Sequence, residues 1–299
     1  MAALDLKEYL KEKKKLVDKF LDNYLPKADV HPKVLHEAMR YSLFAGGKRV
    51  RPILCIASCE AVGGDIDSVL PAASAIELIH TYSLIHDDLP AMDNDDYRRG
   101  RLTNHKMYGE AIAILAGDAL LTMAFDMLAD RKLNSRLDSD SLLSIIKILA
   151  SASGSAGMVG GQAADIQASG NEVNLPEVEY IHIHKTGALI RASVCIGAIA
   201  GNASKDELHV LTRYGECIGL AFQIVDDILD IEGSRDEIGK DVGGDIAKEK
   251  VTYPSVIGIS ESKKLSKELI CKAVEAISTL GEKAEPLREI ARYIVERKS

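Results

Sequence analysis

The sequence predicts an all-α protein organised as a single domain over residues 1–299. Three observations carry that expectation. The chain has no Trp, only four Phe and ten Tyr, while Ala, Leu, Ile, Glu and Lys fill long stretches, so helix formers dominate and sheet formers are scarce. Apolar residues recur at three- and four-residue steps, the spacing of a helix with one buried face. No internal repeat or separating linker interrupts the pattern, and 46% apolar content is ample for a core.

In chain order the periodic segments fall near 4–24, 33–44, 52–62, 69–89, 108–130 and 139–153, then 155–169, 176–200, 205–231, 253–259, 262–279 and 284–296. Breakers lie between them: "AGGKRVRP", "VGGD", an acidic stretch at 86–100 and "GSRDEIGKDVGGDIAKEK". "NLPE" at 174–177 offers an Asn cap, Pro in the first turn and Glu at the third position, a helix start. Sheet is not expected.

A net charge of −8 argues against non-specific nucleic-acid binding, and the acids are clustered rather than spread. No unbroken apolar run reaches the roughly 18 residues of a membrane helix, and the charged N-terminus is unlike a secretory signal. The expectation is a cytoplasmic protein without a transmembrane segment. Of the five cysteines, Cys55 and Cys59 share a helix face and are read as buried small apolar residues.

"HDDLPAMDNDDYRRG" at 86–100 places five carboxylates within ten positions. His80, Ser83 and Asp87 fall within about 60° of each other on one helix face. Pro90 then stops the helix, leaving Asp93, Asp95 and Asp96 beyond its end. A helix C-terminus already carries partial negative charge, so carboxylates gathered there call for a cation. "FQIVDDILDIEG" at 222–233 repeats the problem. Leu208, Leu211, Ile218, Val225 and Leu229 form an apolar face, with Gln223, Asp226, Asp227 and Asp230 opposite and no Lys or Arg within a turn.

Hard carboxylate oxygens select magnesium or calcium, and neither stretch has an EF-hand loop. Magnesium takes few protein carboxylates and fills its shell with water and phosphate oxygens, so phosphates should be near. Candidate phosphate partners are Arg98 and Arg99, Lys48 and Arg51 in "GGKRVRP", Lys185 in "HKTG", and Lys240 and Lys250. Two acidic motifs with this many cations suit a pair of diphosphate esters, one held through magnesium and one held directly.

With those residues in view, "GGKRVRP", "IHTYSLIHDDLPAMDNDDYRRG", "TNHKMYGEAIAILAGDALL", "GQAADI", "HKTGALI" and "FQIVDDILDIEG" resemble the successive signatures of short-chain trans-prenyl diphosphate synthases, nearest the bacterial farnesyl type, over about residues 30–296. The resemblance implies an isoprenoid synthase fold: antiparallel helices around a deep central cavity, in a homodimer. It implies that Asp87, Asp88 and Asp93, with Asp226, Asp227 and Asp230, bind three magnesium ions on an allylic diphosphate (dimethylallyl or geranyl), which Arg98, Lys185 and Lys240 also hold. Lys48, Arg51, His80 and Arg99 match the isopentenyl diphosphate site, with Phe222 and Lys250 among the substrate-binding positions. Thr186 and Gln223 match groups that stabilise the developing allylic cation. The implied reaction is ionisation, condensation and elimination, the leaving diphosphate taking the last proton.

In that family, residues four and five positions before the first Asp floor the cavity, here Ser83 and Tyr82. A bulky Tyr82 resembles enzymes stopping at fifteen carbons; a small residue there would suggest the twenty of geranylgeranyl diphosphate. Helix arithmetic alone puts Tyr82 about 140° from Asp87 and does not place it under the site. A terpene cyclase shares the first motif, but it usually has a different second motif and no need of Lys48, Arg51 and His80. A silent partner subunit is the non-enzymatic alternative, suggested by "CIASC" and opposed by two intact aspartate motifs. Asp95 and Asp96 are read as solvated or supporting carboxylates.

Overall fold

The computed structural model describes residues 4–171, 173–232 and 252–297. The described residues are mostly helical. The helices are α1 (Leu6–Tyr24), α2 (Lys33–Leu43), α3 (Val50–Ala61), α4 (Ile66–Asp87), α5 (Asn104–Tyr108), α6 (Glu110–Ala129) and α7 (Ser139–Ser153). They continue as α8 (Met158–Ala168), α9 (Leu175–His182), α10 (Ala188–Ala200), α11 (Lys205–Glu232), α12 (Tyr253–Ile257), α13 (Ile259–Ala276) and α14 (Glu285–Glu296).

Local chemistry explains several boundaries. Asn174 accepts from the Glu177 N–H at 3.1 Å while the Glu177 carboxylate accepts from the Asn174 N–H at 3.0 Å, the reciprocal cap expected from "NLPE". Helix α4 ends at Asp87, three residues short of Pro90. The 176–200 segment departs from expectation: Ile183–Gly187 form a π-helix between α9 and α10.

Sheet is present after all, as strands β1 (Tyr97–Arg98) and β2 (Arg101–Leu102) in antiparallel register, Tyr97 opposite Leu102. The two residues between them, Arg99 and Gly100, have φ of 54° and 73°. Both positive values are what a tight hairpin turn needs. Two-residue strands are too short for alternation to announce them.

Helix α4 is apolar on every side and runs through the core against α3, α6, α7 and α10. A second cluster joins α3, α10, α11, α13 and α14. Cys55 and Cys59 are buried in these cores. The expectation that nothing could span a membrane needs correcting. Ile66–Asp87, Glu110–Ala129, Ser139–Ala168 and Leu175–Ala200 are each long and apolar enough to cross one by length and composition. Counting unbroken apolar runs misses them, because scattered polar residues leave the average hydropathy high. Burial within the molecule covers 78% of the α4 window.

Candidate active site

The C-terminal half of α4 forms one wall of a cavity of about 380 Å³. His80, Tyr82, Ser83 and Asp87 line it from α4, Arg51 from α3, Met158, Val159, Gln162 and Ile166 from α8, and Lys185 and Thr186 from the π-helix. That size suits a small-molecule site. Tyr82 and Asp87 thus share a cavity despite their angular separation on α4, because the opposing helices close over both.

The wide π turn brings Lys185 and Thr186 to the wall together, as such turns often do at functional sites. A glycine permits the approach: a Cβ on Gly161 of α8 would stand 2.2 Å from the Lys185 backbone nitrogen. The Lys185 ammonium donates to Asp165 at 2.6 Å. Thr186 donates to Gln223 Oε1 at 2.8 Å, and Gln223 donates to Asp227 at 3.0 Å. The other oxygen of Asp227, Oδ2, accepts from the Tyr253 N–H at 3.0 Å and stands 3.4 Å from His182 Nε2.

The aspartates differ sharply. Burial pushes the Asp87 carboxyl up to about 6, Lys185 opposing and Asp93 adding to the rise. Asp93 is drawn close by its N–H on the Asp87 carbonyl at 2.8 Å. Asp88, 3% exposed, takes Arg98 Nε at 2.7 Å and a second guanidinium nitrogen at 2.6 Å. Arg98, assigned to substrate, is also a counter-ion of the first motif, because the hairpin turn folds β1 back over the end of α4. Asp95 stands 3.7 Å from Arg98, and Asp96 pairs with Lys106 at 2.8 Å.

The second motif is no water-facing stripe. Asp227 is 2% exposed. Asp226 pairs at 2.6 Å with Arg297, which also donates to the Phe222 carbonyl at 3.0 Å and covers the Phe222 ring at 4.0 Å. No residue near Asp226 in sequence relieves it, so its counter-ion comes from beyond α14. Asp230 lies on the last turns of α11.

Of the predicted cations, Arg51 and Arg99 gather around His80. Arg51 donates to His80 Nε2 at 3.4 Å. Arg99 donates to the Gly46 carbonyl at 2.5 Å, its guanidinium filling the space a Cβ on Gly47 would need. Burial, then Arg51 and Arg99, hold His80 far below its ordinary value, so it is neutral near pH 7. Burial also lowers Arg51, Arg99 and Lys48, with Arg297 adding to the effect on Lys48. Arg49, unnoticed between the predicted Lys48 and Arg51, anchors them: buried and left-handed, it bonds Glu77 and Asp18, each at 2.8 Å.

Two predicted positions stand apart from the main cavity: Lys48 and Phe222 line a separate pocket of about 200 Å³ with Arg297. Lys240 and Lys250 lie outside the described residues. Residues the sequence reading missed are Arg297, Asp165, His182 and Gln162; of these only Gln162 and Asp165 fell inside a quoted signature, "GQAADI".

Among the described residues, no three or more His, Cys, Asp or Glu cluster tightly enough to hold a metal ion unaided. The donor set still fits a hard cation. Asp87 is a desolvated oxygen ligand beside Asp93, and Arg51 Nε and Gln162 Oε1 are buried without a hydrogen-bond partner. A cation completed by the oxygens of an anionic ligand would satisfy both kinds of group.

Residues 32–291 match the polyprenyl synthetase family model. The chain is 51% identical over 263 residues to the farnesyl diphosphate synthase of Micrococcus luteus, covering 88% of this chain and 89% of that one. It is 47% identical over 302 residues to the chloroplastic large subunit 1 of a heterodimeric geranylgeranyl pyrophosphate synthase of Arabidopsis thaliana, covering 100% and 81%. An FPP/GFPP synthase structure from Zymomonas mobilis superposes with a TM-score of 0.87 at 40% identity, covering 98% of this chain and 100% of that one.

Proposed function

The chain belongs to the polyprenyl synthetase family, and from that premise we propose that it condenses isopentenyl diphosphate with dimethylallyl and then geranyl diphosphate to give farnesyl diphosphate. The observation that carries this reading is the single cavity lined by Asp87, Lys185, Thr186, Arg51, His80 and Tyr82.

Asp87, Asp88 and Asp93, with Asp226, Asp227 and Asp230, are the residues that would hold magnesium, which supplies Lewis-acid stabilisation of the leaving diphosphate. Lys185 adds a cation to the allylic diphosphate. Arg98, which spends Nε and one terminal nitrogen on Asp88, keeps further N–H donors for the same group. Arg51, Arg99, Lys48 and neutral His80 hold isopentenyl diphosphate.

As the allylic C–O bond breaks, its electron pair leaves with diphosphate. The Thr186 hydroxyl donates a hydrogen bond to Gln223 Oε1, so its oxygen lone pairs remain available to the developing cation. The double bond of isopentenyl diphosphate attacks that cation. Loss of the adjacent proton to the departed diphosphate restores an alkene. Charges placed in advance where charge develops are the largest catalytic term in such a reaction.

The apolar side chains Ile114 and Leu115 on α6 and Leu143 on α7 are exposed. They support assembly as a homodimer. Geranylgeranyl diphosphate is the second reading, favoured by the geranylgeranyl-type relative of the comparison. One assay separates them: purified protein with both five-carbon substrates, with magnesium or chelator, and chromatography of the dephosphorylated products. Farnesol is expected. Geranylgeraniol as the main product would select the second reading, and no magnesium-dependent elongation would reject both. A cyclic hydrocarbon would indicate a cyclase.

A further inference from the structure

His86 lines the cavity beside Asp87, at the start of the acidic motif. Its ring is held by α6: a Cβ on Gly117 would lie 2.1 Å from Nε2 and 2.5 Å from Cδ2, so the imidazole occupies the volume that any larger residue at 117 would take. Nε2 lies 3.1 Å from the Ile114 carbonyl oxygen, a hydrogen bond when that nitrogen carries the proton. The Asp118 carboxylate is 3.9 Å away.

On its other side the same ring meets Tyr82, one helical turn earlier on α4. The ring centroids are 5.7 Å apart and the planes 75° from parallel, the edge-to-face arrangement aromatic pairs prefer. Tyr82 is 6% exposed, and both rings line the cavity with Asp87. A glycine notch, a backbone hydrogen bond and a ring edge therefore form one continuous support from α6 to Tyr82.

We propose that His86, seated in the Gly117 notch, is a positioning residue for Tyr82, and that together they set how far a growing isoprenoid chain can extend. The proposal rests on the prenyl-elongation reading above. A wall discriminates between ligands only as well as it is held, and the Tyr82 ring is braced by the edge-to-face His86 ring.

The test is a double-mutant cycle read by product length, using isopentenyl and geranyl diphosphates. His86→Ala should raise the ratio of longer to shorter product at least about threefold in the native background and change it by less than about 1.5-fold in Tyr82→Ala, because the effect acts through Tyr82. Gly117→Ala should shift the ratio in the same direction. The added methyl meets the far end of a side chain, so His86 yields rather than the backbone. Should His86→Ala fail to fold, His86→Gln carries the same expectation, since it retains a donor for Ile114 but no ring.

An unmoved product ratio in His86→Ala and Gly117→Ala would overturn the proposal. So would an equal effect of His86→Ala with and without Tyr82. A native enzyme that does not elongate at all would instead overturn the elongation reading.

Discussion

The two aspartate motifs look alike in sequence and are held in opposite ways. At the end of α4, Asp87 is a desolvated carboxyl raised to about 6 by burial. On α11, Asp227 is further removed from water yet accepts from Gln223 and the Tyr253 N–H, and Asp226 has Arg297. In the first motif Asp87 is left electrostatically strained until a cation arrives, although Asp88 already has Arg98. The second motif is already tied into the fold. Identical residue types thus divide between binding and building, and the partners they find decide which.

The comparison breaks if substitutions in the two motifs change stability alike. The largest effect is expected on turnover: Asp87→Ala or Asp226→Ala should each lose at least about 10²–10³ in kcat, measured by isopentenyl incorporation, with loss of one oxyanion donor as the guide. Near-normal turnover in both would remove them from the site. Stability should separate the motifs. Asp227→Asn, which leaves buried donors mismatched, should cost about 1–3 kcal/mol in urea unfolding.

Asp87→Asn should do the reverse. A carboxyl raised in the folded state from an ordinary value near 3.8 to about 6 opposes folding as pH rises through that window, and the penalty is complete above it. The shift is worth at most about 3 kcal/mol, and partial exposure reduces that to about 1–2 kcal/mol. Asp87→Asn should therefore be more stable than the native chain at pH 8 and indistinguishable from it below about pH 4, by urea midpoint. A destabilised Asp87→Asn at pH 8 would erase the contrast. The smallest effect concerns the basic side: Arg99→Ala should raise KM for isopentenyl diphosphate at least about threefold more than KM for the allylic partner. Equal changes would move Arg99 out of that role.

Helical periodicity made most of the fold legible, since a buried face repeats at 3.6 residues whatever it packs against. What stayed hidden was too short or too distant to leave a period. The Tyr97–Leu102 hairpin has two residues per strand, and its Arg99 adopts a left-handed conformation usually given to Gly or Asn. That turn sends Arg98 to Asp88 and Arg99 to the Gly46 carbonyl, so adjacent arginines take separate tasks. The acidic motifs were visible because like charges demand an explanation. The second motif's native counter-ion Arg297 was not, because nothing local links positions 226 and 297.

The π-helix at Ile183–Gly187 has a further consequence. A π turn uses one more residue than an α turn to return to the same face. The segment therefore behaves as a helix with a supernumerary residue. Shortening it by one would let α9 run straight into α10 with the buried face of α10 still meeting the core, while Lys185 and Thr186 lost the wide turn that presents them. An insertion of a single residue is enough to add chemistry to a helix whose structural duties continue undisturbed on either side.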